Sequence, residues 1–105
     1  MWHGVTPASK ADEYLEYLRQ TGEDDCRKTE RNRGVVVMHK IQEDKAHFLF
    51  LSFWESYDAI RKFSGENIER AVYYPKDKEY LLELEPNVTH YETNGMNGCI
   101  CAAAG

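Results

Sequence analysis

The stretch Phe48-Leu-Phe-Leu-Ser-Phe-Trp54 is apolar at every position but Ser52, which predicts a strand covered on both faces. Gly34-Val-Val-Val-Met-His-Lys-Ile41 is rich in β-branched residues and reads as a second strand, joined to the first through a turn at Glu43-Asp44-Lys45. Near the start, Trp2 to Thr6 alternates apolar and polar groups as a short strand does, and Pro7 closes it. Between these strands the period changes. Ala11, Tyr14, Leu15 and Leu18 mark one face at helical spacing, Ser9 with Asp12 resembles a capping box, and Gly22 supplies a stop, so a helix is expected over 8–21. Residues 23–33 are almost all polar and read as a loop. After Trp54, apolar groups recur at Tyr57, Ile60 and Phe63, predicting a helix over 55–64 that Gly65 breaks. Ile68 to Tyr74 offers a further helical turn or two before Pro75, and Tyr80 to Leu82 a short turn. Past Pro86, Val88 and His90 alternate with Thr89 and Tyr91, a last strand over Asn87–Glu92.

The resulting order is β-α-β-β-α-β, the ferredoxin-like α+β unit, in which a four-stranded antiparallel sheet carries both helices on one face. Strands that are apolar on both sides would then leave the other face as a large exposed patch, which soluble monomers rarely tolerate. Pairing two sheets face to face hides it, and the expectation is a symmetric homodimer.

Composition narrows the class further. At 105 residues with 42% apolar and 30% charged residues, the chain fits one globular domain, read as 1–93, followed from Asn94 to Gly105 by a tail of Gly, Ala, Asn and two cysteines. The formal charge of −5 argues against a nucleic-acid partner, and the basic cluster Arg27, Lys28, Arg31 and Arg33 is interrupted by polar and acidic residues, as in a solvated loop. No run is long and apolar enough to span a membrane, and no signal-peptide pattern opens the chain. Three unevenly spread cysteines make no disulfide framework, so a cytoplasmic protein is expected. Cys26, alone among polar residues, reads as inert, and Cys99 with Cys101 supplies half a zinc set.

Three motifs carry a resemblance. "MWHG" at the start, "SFWES" at the junction of strand and helix and "EPNVTHYE" near the end resemble the antibiotic-biosynthesis-monooxygenase domain superfamily of dimeric α+β barrels, over about residues 1–93. The similarity is greatest to a subgroup with a "YYP" and a "LLELEP" segment, here Tyr73-Tyr74-Pro75 and Leu81 to Pro86, for which no activity is settled. What it implies is a cofactor-independent monooxygenase that deprotonates an aromatic or quinone-like molecule and lets the carbanion meet oxygen, with Trp54 matching the tryptophan of the pocket. The polyketide oxygenases of the family have an asparagine four residues before that tryptophan, and this chain has Phe50 there. The haem-degrading branch has an iron-binding histidine about ten residues after it, where this chain reads Lys62-Phe63-Ser64-Gly65, so haem chemistry is disfavoured.

The candidate site follows from these residues. Trp54 is either a core aromatic stapling strand to helix or a cavity wall, and both can hold. His39 shares a strand face with Val35, Val37 and Ile41; with a two-residue turn at Asp44-Lys45 it pairs with Phe50 and faces the side of Ser52 and Trp54. There it would serve as a base, the alternative being a strand-end histidine reaching solvent. Tyr73 or Tyr74 would orient a substrate carbonyl, while Phe50, Ser52 and Trp54 contact the ring. His3, His47 and His90 lie on three strands; His3 and His90 would meet if the first and last strands pair, without a carboxylate to complete a metal site. No cofactor or metal is expected. The rival readings are a non-catalytic small-molecule-binding or dimerisation module of the same fold, and, behind both, a haem-degrading monooxygenase.

Overall fold

A computed structural model describes residues 1–94; the expected tail, apart from Asn94, lies outside the described residues, as do Cys99 and Cys101. Its centre is a long hairpin of β2 (Asn32–Gln42) and β3 (Lys45–Trp54), with β1 (Trp2–Pro7) on the other side of β3. All pairs are antiparallel, in the order β1-β3-β2. Glu43 and Asp44 form the turn, one residue earlier than the turn that would pair His39 with Phe50, and Glu43 takes the left-handed φ of 59° that tight hairpins demand. The register therefore sets Val37 opposite Phe50 and His39 opposite Phe48. At the far end the ladder shifts by a bulge between Asn32 and Gly34, and the Asn32 side chain closes it by accepting the Gly34 N–H at 3.1 Å.

The helical layer is longer than its polarity suggests. A 3₁₀ turn (Ala8–Lys10) leads into α1 (Ala11–Leu18), a π turn (Arg19–Glu23) and α2 (Asp24–Lys28). Gly22 does not stop the helix. It sits buried within the π turn, where a Cβ would lie 3.7 Å from a Phe50 ring carbon, in ordinary van der Waals contact. The expected loop is thus helical through Lys28, with Asp24 and Asp25 at its first turn and Arg27 and Lys28 at its last, as the helix dipole favours. Ser9 makes no capping bond; Pro7 holds that position. The second expected helix forms as α3 (Tyr57–Ser64), capped by Ser56, whose side chain accepts the Ala59 N–H at 3.2 Å, and ended by Gly65 at φ 89°.

Tyr14 and Phe48 form the densest contact between layers: they are 1% and 0% exposed, and their rings meet edge-on at 5.2 Å. Ala11, Leu18, Ala46 and Leu81 complete the buried cluster.

No fourth strand forms among the described residues. Asn87–Glu92 touches the free edge of β1 where Met1 and Thr89 exchange backbone bonds (Thr89 N to Met1 O, 3.0 Å), and the other edge of this segment meets Arg70 through a single bridge at Asn87. Leu82 N reaches Val5 O at 2.9 Å, but Pro86, which has no N–H to donate, lies between the two contacts and no ladder connects them. Ile68 to Tyr74 is likewise not helical, because its backbone is drawn into pairing with that segment, Ala71 N to Pro86 O at 2.9 Å and Val88 N to Glu69 O at 2.7 Å. The last helix, α4, is short, Asp77–Tyr80. The architecture is α+β with a three-stranded antiparallel sheet, not a completed β-α-β-β-α-β unit.

Strand alternation puts Val36, Met38, Leu49, Leu51 and Phe53 on the face away from the helices, and Met38 is 45% exposed there. Among the described residues no helix covers that face. Truncating Phe48 to Ala should cost about 3–5 kcal/mol of unfolding free energy in urea titrations, the range for a fully buried aromatic, whereas a loss below about 1 kcal/mol would mean that the Tyr14–Phe48 contact is not the centre of the core.

Candidate functional site

Burial falls along β3 from its start to its end. Ala46 and Phe48 are sealed, but Phe50, Ser52 and Trp54 are half-buried and form one wall of a cavity of about 890 Å³. Leu18, Gly22 and Cys26 of the helical layer, α3, and the segments around Tyr73 and His90 supply its other walls. A volume in this range suits a small organic molecule.

Five of the six expected site residues border this cavity: Phe50, Ser52, Trp54, Tyr73 and Tyr74. Trp54 stands at the junction of β3 and α3. Its ring stacks on Phe63 of α3 at 6.0 Å, stapling strand to helix, while it also walls the cavity. The indole N–H is spent on Ser52 Oγ at 2.7 Å. Both tyrosines have committed hydroxyls as well: Tyr73 accepts from Trp2 Nε1 at 3.1 Å and donates to Glu85 O, and Tyr74 donates to Asp25 Oδ2 at 2.7 Å. Burial raises the pKa of both phenols, and the bond to Asp25 raises that of Tyr74 further, so both stay protonated at neutral pH.

His39 is the exception. It faces the helix side of the sheet, as Trp54 does, but its partner Phe48 lies six residues along β3 from Trp54, about 20 Å at strand spacing. It is exposed, its ring lies parallel to that of Phe48 at 5.5 Å, and it does not border the cavity. The histidine that does is His90. Its Nε2 lies 2.6 Å from Ile68 O, and because a carbonyl only accepts, Nε2 carries the proton. In the neutral ring Nδ1 then keeps its lone pair, and Tyr57 holds the ring edge-on at 6.3 Å. His3 does not meet His90; it bonds His47 at 3.3 Å and Glu85 at 3.5 Å. Among the described residues no group of three or more His, Cys, Asp or Glu side chains is placed to hold a metal.

Asp77, unnoticed in the sequence, is 4% exposed and touches the cavity. Its Oδ1 accepts from Tyr14 OH at 3.1 Å and its Oδ2 from Tyr74 N at 2.6 Å, while its own N–H bonds Tyr74 O at 3.0 Å, a reciprocal clasp that starts α4. Burial raises its carboxyl above the ordinary value and the two accepted bonds pull it partly back. Cys26 is buried rather than lying in a polar loop, and burial pushes its thiol up to about 12, with Asp25 adding to the shift. The basic cluster is dispersed: Lys28 pairs with Asp24 at 2.8 Å and Arg31 with Glu55 at 3.6 Å, while Arg33 borders the cavity.

No family model, curated protein or solved structure matches the chain.

The raised carboxyl of Asp77 has a signed consequence. The folded state binds its proton more tightly than the unfolded chain, so its contribution to stability is fully present below about pH 4 and is lost as pH rises through the folded value. Urea midpoints of wild type and Asp77→Asn, measured from pH 3 to 7, should show the wild type's relative stability falling as pH rises. A difference that is flat or rises with pH contradicts this environment for the carboxyl.

Proposed function

We propose that the chain is a cofactor-independent oxygenase for an aromatic or quinone-like small molecule, acting as a homodimer in the manner of a dimeric α+β barrel. The cavity walled by Phe50 and Trp54 is the observation that carries this reading: it is large enough for a fused-ring ligand, and two aromatic side chains project from one strand into it. The homodimer follows from the apolar outer face of β2 and β3, since identical sheet faces are complementary about a two-fold axis and stack about 10 Å apart. The ferredoxin-like unit would be completed if the segment after Pro86 zipped onto the β1 edge beside Met1.

His90 replaces His39 as the base in this proposal, because it borders the cavity and its lone-pair nitrogen is set by the bond to Ile68. Nδ1 takes a proton from an activated ring CH₂; the resulting carbanion gives its electrons to dioxygen; one oxygen atom becomes a ring carbonyl and the other leaves as water with the two substrate hydrogens. Phe50 and Trp54 hold the ring, and Tyr73 and Tyr74 shape the cavity through hydroxyls already bonded to the protein.

A non-catalytic binding module of the same fold is favoured by one specific observation: Phe50 occupies the place of a polar partner to oxygen, and the hydroxyls of Tyr73 and Tyr74 are committed. Oxygen-electrode assays with anthrone separate the two readings. Turnover predicts uptake above the uncatalysed rate and a loss of about 10²-fold or more in His90→Ala with anthrone still bound. Retained anthrone with background oxygen uptake would establish the binding module instead. A haem titration should leave the Soret band unshifted, since the stretch Lys62 to Gly65 offers no histidine to iron; a shifted band would restore the haem-degrading reading.

A further inference from the structure

We infer that Ser52 selects the ligand, favouring flat ring systems that present a carbonyl oxygen over the corresponding hydrocarbons. The inference rests on the cavity reading above but not on turnover.

The β3 wall holds two polar groups, the Ser52 hydroxyl and the Trp54 indole. The indole N–H donates to Ser52 Oγ at 2.7 Å, which uses a lone pair of the hydroxyl and leaves its hydrogen with no acceptor among the described residues. Accepting a bond strengthens the same hydroxyl as a donor, so Trp54 polarises Ser52 toward whatever lies beside it. Three phenols that border the cavity do not compete for this role. Tyr14 is spent on Asp77, Tyr73 on Glu85 and Tyr74 on Asp25.

The ring positions on either side of Ser52 are set by alternation along the strand. Phe50 and Trp54 share its face, two residues before and two after, so a planar ligand standing between them brings its edge to the hydroxyl. A carbonyl oxygen at that edge accepts the O–H. A hydrocarbon edge buries the donor unmet, which costs on the order of tenfold or more in affinity.

Fluorenone and fluorene test this, being the same fused ring with C=O in one and CH₂ in the other. Binding to the intact protein is followed by quenching of tryptophan fluorescence and by calorimetry. The expected result is a preference for fluorenone of about tenfold, lost in Ser52→Ala through tighter fluorene binding once the unmet donor is gone, kept in Ser52→Thr, and narrowed in Trp54→Phe, where the polarising N–H is gone. Equal affinity of the wild type for the two ligands overturns the inference while leaving the cavity reading standing, and needs no variant to fold. A preference that survives Ser52→Ala in a folded protein overturns it too. Binding of neither ligand overturns the cavity reading and this inference together.

Discussion

The structure depends on one strand being apolar on both faces. β3 pairs with β1 on one edge and β2 on the other, so its backbone is satisfied within the sheet, and its side chains must then be hidden above and below. On the helix side this is achieved by Tyr14 meeting Phe48 over Ala46, with Leu18 and Leu81 closing around them. On the other side Val36, Met38, Leu49, Leu51 and Phe53 form an apolar surface that the proposed second copy would cover.

The same strand explains why a cavity exists. Its first half is sealed by α1, whereas its second half, from Phe50 to Trp54, is opposed by the π turn, where Gly22 contributes no side chain, and by α3. Trp54 stands at the end of this gradient, packed on Phe63 on one side and facing open space on the other. Many of the polar groups nearby, Trp54, Tyr73, Tyr74, Asp77 and His90 among them, are already bonded within the protein. That arrangement keeps an apolar hollow from filling with unmet donors.

Much of this was legible in the chain itself. Apolar runs and β-branched or alternating residues located β1, β2 and β3, and Gly65 ended α3 as helix punctuation should. The errors have physical causes. Gly22 looked like a stop because helix propensity is local, whereas its burial against Phe50 is a tertiary contact. The polar residues 24–28 hid a helix whose exposed faces are charged and whose single buried side chain is Cys26. Asn87–Glu92 alternates like a strand, yet Pro86 breaks the ladder that alternation needs. His39 failed as a cavity residue because a hairpin turn one residue earlier moves every cross-strand partner. His90 and Asp77 are held by contacts to Ile68 and Tyr14, distant in sequence, which no spacing rule announces.

The central claim is that both faces of β3 are covered, one by helices and one by a second copy of the chain. Sedimentation equilibrium in dilute solution tests it most directly. The account predicts a mass of about twice the 12.2 kDa of one chain, falling toward one chain when Leu51 on the outer face is replaced by Glu. A wild-type mass of one chain at micromolar concentration, with the outer face in water, would contradict it.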